Sequence, residues 1–208
     1  EELRRGSSEP SVLLAGDTRR STEILAEWFA SAFRGHGGRV TWGRVLPTPA
    51  VSHLVRSANG VYDAGVVISA SHNPATDNGI KILSPRGEKV ADAVELRLEK
   101  RLRQLDPTVG PGLPPADRSL GERYQDLLAA THPEPEPLRG LRLVVDAAHG
   151  AASLIAGPLL ERLGARVTSI ACSPNGRNIN DGYGATAPEH LAAEVVAHGA
   201  HGGVALDG

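Results

Sequence analysis

Cysteine, aromatic side chains and long apolar runs are scarce in this sequence of 208 residues. Its single cysteine, Cys172, excludes an intrachain disulfide and a metal site built from several cysteines, as is typical of a reducing compartment. Aromatic residues make up 3% of the chain. The core must therefore consist of Val, Leu, Ile and Ala, and there is no aromatic platform on which nucleic-acid bases would stack.

Membrane and nucleic-acid partners are also disfavoured. No apolar run approaches the length that crosses a bilayer, and no basic and then apolar leader opens the chain, so we expect a cytoplasmic protein without a membrane partner. The formal net charge is −2 and the arginines are scattered, which argues against nucleic acid as a partner. Hydrophobic residues make up 40% and charged residues 22%, as is typical of a globular protein.

Apolar periodicity predicts two α/β units in succession. The first has predicted strands at 11–15, 40–45, 66–68 and 80–83 and predicted helices at 21–34, 50–57, 89–105 and 120–130. The second has predicted strands at 141–145, 167–170 and 203–206 and predicted helices at 152–162 and 189–198. Between them, the Pro-rich residues 132–137 favour neither helix nor strand and predict a domain boundary. We therefore expect domains at 1–137 and 138–208.

The two units repeat one order of elements. Each has a strand, a polar loop, a helix, a glycine and then a strand that begins Arg-Val-Thr, at residues 39–41 and again at 166–168. A repeat of this kind indicates two domains of similar α/β build.

One segment carries most of the reactive groups. Residues 66–68 are an apolar run that predicts a buried strand, and turn signals follow, so Ser71 is expected on a loop just past the strand end. That edge of an α/β sheet is where phosphate chemistry is usually placed. With His72, Asn73 and Lys81, the segment adds an imidazole, an amide and a cation to the hydroxyl. Phosphoryl transfer to or from a serine requires such groups.

An ordinary turn explains these residue types equally well. In that alternative, Asn73 closes an Asx-type hydrogen bond, His72 is solvated and Ser71 has no chemical role. The length of the motif favours the chemical interpretation. Residues 69–74, Ser-Ala-Ser-His-Asn-Pro, and 78–81, Asn-Gly-Ile-Lys, together resemble the active-site serine loop of the phosphohexomutases.

Further positions support that resemblance. Ser69 stands where many members of the family have Thr, and in this it is similar to the phosphoglucosamine mutase subfamily. Residues 16–19, Gly-Asp-Thr-Arg, and 46–49, Leu-Pro-Thr-Pro, resemble two other family motifs. Residues 178–186 resemble a segment of the subfamily in which Tyr183 takes the position of a usual Cys. The resemblance covers the first predicted domain, except its start, and most of the second.

The resemblance implies both a fold and a chemistry. The fold is α/β, with two similar three-layer α/β/α domains and mixed sheets, the first two of the family's four domains. In such enzymes the serine is carried as a phosphoserine, gives its phosphoryl group to a hexose monophosphate and recovers one from the bisphosphate intermediate. A phosphoserine holds about −1.5 to −2 charges near neutrality, so it needs Mg²⁺ and basic groups before an anionic sugar phosphate can approach.

Four side chains are candidates for catalysis and two for binding Mg²⁺. Ser71, the phosphoryl carrier, is accompanied by His72, by Lys81 as general acid or base and by Arg19 as a fixed cation near the phosphate. The alternatives are a solvated Lys at a strand end and an Arg that caps a helix or forms a salt bridge. Asp207 and the Gly after it resemble the opening of the family's Asp-Gly-Asp-Gly-Asp-Arg loop, so the candidate metal ligands are Ser71 and Asp207. An Asp-Gly turn is otherwise common.

Three functions are weighed. The first is interconversion of glucosamine 6-phosphate and glucosamine 1-phosphate for UDP-N-acetylglucosamine and cell-wall precursor synthesis. This function implies a hexosamine phosphate as the binding partner and is compatible with a homodimer. The second is a phosphomannomutase or phosphoglucomutase, because the domains that read the sugar are not among these residues. The third is an inactive chain that folds and acts at most as a binding module. A start without Met, an end soon after a strand and two of four domains indicate part of a longer protein.

Overall fold

The computed structural model describes residues 9–103 and 110–208. The first half contains strands β1 (Ser11–Gly16), β2 (Arg39–Val45), β3 (Ala64–Ile68) and β4 (Ile80–Leu83) and helices α1 (Arg20–Gly35), α2 (Thr48–Ser57), α3 (Asp92–Leu102) and α4 (Ser119–Ala129). The second half contains strands β5 (Arg142–Asp146), β6 (Arg166–Ile170) and β7 (Gly202–Ala205) and helices α5 (Ala156–Arg162) and α6 (Glu189–Ala197). None of the helices in these residues is long and apolar enough to cross a membrane.

The strands form two sheets. The first has the order β2-β1-β3-β4, in which β1 pairs in parallel with β2 and β3, and β4 pairs antiparallel with β3. The second has the order β6-β5-β7, and its described strands pair only in parallel. The α/β fold class is thus confirmed, and the mixed sheet that was expected of both units is found in the first. Because β1 and β3 are parallel neighbours, the loops that follow them lie side by side.

Strand alternation builds the core of the first unit in three layers. Leu13 and Ala15 of β1 pack on the face covered by α2 and α4, whereas Val12 and Leu14 pack on the face covered by α1. Successive side chains of a strand point to opposite faces, so β1 serves both layers of helices. All six residues of β1 and all five of β3 are buried, which fixes the position of the two loops that leave them.

Truncating a core residue of β1 is expected to destabilise the protein strongly. Leu14 is 0% exposed, so Leu14→Ala should lower the free energy of unfolding by about 2–5 kcal/mol through lost burial and the cavity left behind. Leu154→Ala is the control, because Leu154 is 74% exposed and should cost less than about 0.5 kcal/mol. Urea unfolding of both variants measures this. Equal losses would contradict the placement of Leu14 in the core.

Two helices begin three or four residues later than predicted, and the other helix ends predicted within the described residues agree with the prediction within two residues. The helix predicted at 89–105 begins only at Asp92, because Lys89 and Val90 pair back with β4 through a bridge to Leu83 and a hydrogen bond to Ile82 O. The predicted end of this helix, residues 104–105, lies outside the described residues, as does the start of the first predicted domain, residues 1–8.

The helix predicted at 152–162 begins only at Ala156, because a run of turns precedes it in which Ser153 N–H donates to Gly150 O and Ile155 N–H to Ala152 O. Between the two units, residues 132–137 form neither helix nor strand. The domain boundaries themselves stay a prediction.

Cys172 lies on the turn after β6. It is a half-buried free cysteine whose Sγ donates to Ile170 O at 3.2 Å. Burial raises the pKa of this thiol above its ordinary range, which disfavours the reactive thiolate. It therefore serves as a small side chain near a strand end.

Candidate active site

Ser71 lies on the loop that follows β3. Its φ of 56° is in the left-handed region, a conformation that costs a residue other than glycine about 1–3 kcal/mol and persists only where surrounding contacts impose it. The Ser71 N–H donates to Ser69 Oγ at 3.0 Å, and the Ser71 hydroxyl donates to Asp207 Oδ2 at 2.7 Å. The hydroxyl therefore leaves the first sheet and faces the segment that follows β7.

Arg19 holds this loop from the interior of the protein. Its side chain is 0% exposed, and its Nε donates to Asp17 Oδ2 at 2.8 Å in a buried ion pair. Its two Nη atoms donate to carbonyl oxygens of the loop, those of Ser71, Asn73, Pro74 and Asp77. All the N–H groups of the guanidinium are thus taken up by protein acceptors. Arg19 therefore forms the salt bridge of the alternative interpretation. No N–H group of its guanidinium is left to bind a phosphate.

The base of the loop is closed by an asparagine. Asn78 Nδ2 donates to Ser21 Oγ at 2.9 Å, and Asn78 Oδ1 accepts the Gly79 N–H at 2.8 Å. The Gly79 carbonyl in turn accepts the Ser69 N–H at 2.9 Å. The turn that the sequence predicted is therefore tied both to itself and to the start of α1.

Lys81 lies in the middle of β4, opposite Val67 of β3. Its side chain lines the same cleft as Ser71 and Asp207. Within residues 9–103 and 110–208, it forms no ion pair. Lys81 is thus positioned in the cleft with its ammonium group uncommitted, which suits a proton carrier but does not test that role.

His72 extends into solvent beside Ser71. Its side chain is 61% exposed, and Nδ1 lies 4.0 Å from Asp207 Oδ2, too far for a hydrogen bond. This position agrees with the alternative interpretation, in which His72 is solvated. A catalytic role for His72 stays a prediction.

Asp207 provides the carboxylate of the candidate metal site. Its Oδ2 lies 2.7 Å from Ser71 Oγ, close to the separation of about 3 Å between neighbouring oxygens around one octahedral Mg²⁺. Both atoms are hard oxygen donors, which this cation prefers. In the part of the chain that the structure describes, no group of three or more His, Cys, Asp or Glu side chains is close enough to hold a metal. Ser71 and Asp207 thus fit part of a coordination shell.

These residues face a cleft of about 480 Å³ between the two α/β units. Its polar lining residues include Asp17, Ser69, Ser71, Lys81 and Asp207, and apolar side chains, among them those of α4 and α5, form much of the rest. A volume of this size is within the range of sites for small molecules.

Tyr124 of α4 also lines the cleft, and burial raises the pKa of its phenol above the ordinary range. It therefore contributes a neutral ring to a wall that otherwise carries the apolar side chains Leu128 and Ile155. The charged side chains among the described lining residues are Asp17, Lys81 and Asp207.

The sequence did not assign site roles to two residues that join the units. Asn180 Nδ2 donates to Ser71 O at 2.9 Å and to Asn73 O at 3.0 Å. Thr18 Oγ1 donates to His149 O at 2.6 Å. Both residues lie within motifs that carried the family resemblance, at 16–19 and 178–186. Their contacts span 109 and 131 residues of sequence, however, so no local pattern could have predicted them.

A family model and curated relatives match the chain. The model described as phosphoglucomutase/phosphomannomutase, alpha/beta/alpha domain I, matches residues 1–108. A phosphoglucosamine mutase of Cupriavidus taiwanensis is 45% identical over 208 residues, which cover 99% of this chain and 46% of that protein. A phosphoglucosamine mutase of Janthinobacterium sp. (strain Marseille) is 45% identical over 214 residues, which again cover 99% of this chain and 46% of that protein.

A solved structure matches the whole chain. It is a phosphoglucomutase/phosphomannomutase family protein from Burkholderia thailandensis, with a TM-score of 0.81 and 27% sequence identity. The match covers 100% of this chain and 46% of that protein. The chain therefore spans about half the length of the curated relatives and of the solved structure that it matches. The resemblance to phosphohexomutases that the serine loop indicated is confirmed.

Proposed function

The chain belongs to the phosphoglucomutase/phosphomannomutase family, and on this premise we propose that it is the phosphoryl-carrying half of a phosphoglucosamine mutase. The proposed reaction interconverts glucosamine 6-phosphate and glucosamine 1-phosphate through a phosphoserine at Ser71 and a bisphosphate intermediate. The names of the relatives support this choice of sugar. The reaction would serve UDP-N-acetylglucosamine and cell-wall precursor synthesis in the cytoplasm. A homodimer stays a prediction.

One contact carries the proposal. Ser71 Oγ lies 2.7 Å from Asp207 Oδ2, at the mouth of a cleft that Lys81 also lines. A carrier serine must offer its oxygen to solvent-borne phosphates and lie beside a group that can share a cation with it. A serine that merely closed a turn would donate to its own loop instead.

The phosphoryl group is transferred in two steps, and the side chains that line the cleft account for the bonds and protons of both. In the first step, an oxygen of the sugar attacks the phosphorus on Ser71 and the bond between phosphorus and Oγ breaks, while Lys81 takes the proton of the sugar hydroxyl and gives one to the departing Oγ. In the second step, Ser71 Oγ attacks the other phosphate of the bisphosphate and the bond between that phosphorus and the sugar oxygen breaks, while Lys81 takes the proton of the serine hydroxyl and gives one to the departing sugar oxygen. Phosphoserine is restored, and the phosphate has changed position on the sugar.

Ser71 and Asp207 are the residues proposed to hold Mg²⁺. When bound there, the cation would neutralise charge on the phosphoryl group during transfer. One carboxylate is too few for a complete site, so we propose that the natural-length protein supplies further oxygen ligands. Arg19 contributes through the backbone of the loop, which its buried guanidinium holds in place.

Substrate preference of the natural-length protein tests the proposed function. The specificity constant kcat/KM for glucosamine 6-phosphate is expected to exceed those for glucose 6-phosphate and mannose 6-phosphate by about 10-fold or more, because a site that pairs the amino group discriminates against sugars that lack it. Coupled assays of 1-phosphate formation measure the three constants. Equal constants would favour a phosphoglucomutase or phosphomannomutase, and no turnover of any of the three would refute the mutase. The 208 residues alone are expected to be inactive.

A further inference from the structure

The loop that carries Ser71 is held by two side-chain donors, one from each α/β unit. Arg19 Nη2, from the first unit, donates to Ser71 O at 2.8 Å and to Asn73 O at 3.0 Å. Asn180 Nδ2, from the second unit, donates to the same two oxygens at 2.9 and 3.0 Å. The same pair of carbonyls therefore accepts hydrogen bonds from a guanidinium of the first unit and from an amide of the second. An amide nitrogen has two hydrogens, so both donors of Asn180 are used on this loop.

Asn180 is itself fixed by the second unit. Its φ of 60° is left-handed, and its N–H donates to Ala148 O at 2.9 Å. Ala148 is held in turn by Asp146, a carboxylate that is 0% exposed and accepts the N–H groups of Ala148 at 2.9 Å and Gly184 at 2.8 Å. Ile179, which is 2% exposed, anchors the adjoining position in the interior. The backbone of Asn180 is thus held at the buried end of β5.

The same amide also touches the segment that carries Asp207. A Cβ added to Gly208 would lie 2.3 Å from Asn180 Oδ1 and 2.6 Å from Nδ2, so the glycine backbone is packed directly on the amide. A larger residue at this position would displace the Asn180 amide. Asn180 therefore contacts the backbone of Ser71 on one side and the residue after Asp207 on the other, while Ser71 Oγ and Asp207 Oδ2 face each other at 2.7 Å.

We propose that Asn180 is a positioning residue that sets the distance between the Ser71 oxygen and the Asp207 carboxylate, and so couples the second α/β unit to the phosphoryl carrier. The inference rests on the proposed function. It does not require Asn180 to touch the sugar or the phosphate. Without the amide, Arg19 would hold the loop from the first unit alone, and the two oxygens would be free to separate. A displacement of about 1 Å at a reacting group lowers turnover by about 100-fold.

Two substitutions in the natural-length enzyme test this role. Asn180→Asp keeps the size of the side chain but replaces the donor with a carboxylate that faces two carbonyl oxygens. Asn180→Gly removes the side chain and tolerates the left-handed backbone. Both are expected to lower kcat by about 10-fold to 100-fold with KM within about threefold, because the interaction serves the reacting atoms and not substrate binding. The phosphoserine mass should persist in both variants.

Asn178→Asp is the matched control. Asn178 lies on the same turn, but its amide donates to Ser173 O at 3.1 Å and its Oδ1 accepts the Asn175 N–H at 2.9 Å, and among the described residues its side chain has no hydrogen bond to residues 69–79. Its turnover should stay within about twofold of the natural enzyme. A fall in kcat for Asn178→Asp equal to that for Asn180→Asp would overturn the proposal, since a general disturbance of the turn would then explain both.

Amide hydrogen exchange of residues 69–79 provides a readout that does not depend on turnover. Exchange in this loop is expected to be about 10-fold faster in both Asn180 variants than in the Asn178 control. If the natural enzyme turned over no sugar phosphate, the proposed function would fail. The exchange comparison would still test whether the Asn180 side chain holds the loop of residues 69–79. Unchanged exchange in the Asn180 variants, or an unchanged kcat, would overturn the inference about Asn180.

Discussion

Ser71→Ala is expected to lower turnover of the natural-length enzyme by about 10⁴-fold or more, because the variant has no oxygen on which the phosphoryl group can be carried. The same change should remove a mass of about 80 Da, the phosphoryl group, from the intact purified protein. Mass spectrometry and a coupled assay together measure both effects. The methyl group of Ala occupies less space than the Ser71 side chain, and that side chain is only half-buried, so the fold should be retained.

A serine at the other end of the strand pair gives the control for Ser71. Ser84 follows β4, and its Oγ accepts the Arg86 N–H at 3.2 Å in a local turn. Ser84→Ala should keep both the additional 80 Da and the turnover of the natural enzyme. If Ser71→Ala still carried the additional mass, the phosphoryl group would be on another residue and the assignment of Ser71 would be wrong.

Lys81→Met is expected to lower kcat by about 10² to 10⁴-fold, the range for loss of a general acid or base. Met has a similar length but cannot accept or give a proton, so the cleft keeps its shape while the one lysine among its described lining residues is lost. The phosphoserine mass should be unaffected, because Lys81 acts on the sugar oxygen rather than carrying the phosphoryl group. Single-turnover transfer from the phosphorylated enzyme to glucosamine 6-phosphate measures the step directly.

Lys89→Met is the control for a lysine outside the cleft. Lys89 Nζ lies 3.0 Å from Glu95 Oε2 and 3.4 Å from Asp92 Oδ1, and the hydrogen bond and charge of Glu95 raise the pKa of Lys89 above its ordinary value. It is paired at the surface and should affect turnover by no more than about twofold. Near-normal turnover in Lys81→Met would reduce Lys81 to a surface residue and remove the proposed proton carrier.

Local pattern was sufficient for much of the fold. Strands β1 and β3 are uninterrupted apolar runs because both faces are covered by helices, and such runs are visible in the sequence. Apolar spacing also predicted helix α1, but not its buried face: Thr22, Ala26 and Ala30 are buried, whereas Ile24 and Trp28 are 51% and 66% exposed. Helix ends were less predictable. The starts of α3 and α5 depend on a bridge to β4 and on turns at Gly150, which apolar spacing does not encode.

Arg19 illustrates why the candidate site could be predicted only in part. Its motif identified it as a residue of the site, and its charge suggested a partner for phosphate. The structure instead buries the guanidinium beneath the loop, where Asp17 and the loop carbonyls use its donors. Residue type gives the charge of a side chain, but its direction depends on which neighbours offer acceptors after β1 and β3 pair.

The sequence by itself determined that Ser71 follows a buried strand in an α/β protein and that its loop resembles that of the phosphohexomutases, because strand burial and turn chemistry are local properties. Only the tertiary structure decided that the Ser71 hydroxyl meets Asp207, 136 residues away, and that Asn180 meets the same loop. These contacts arise where the ends of β3, β5 and β7 approach one cleft. Their distances depend on how two separate sheets pack together, which no periodicity within either sheet records.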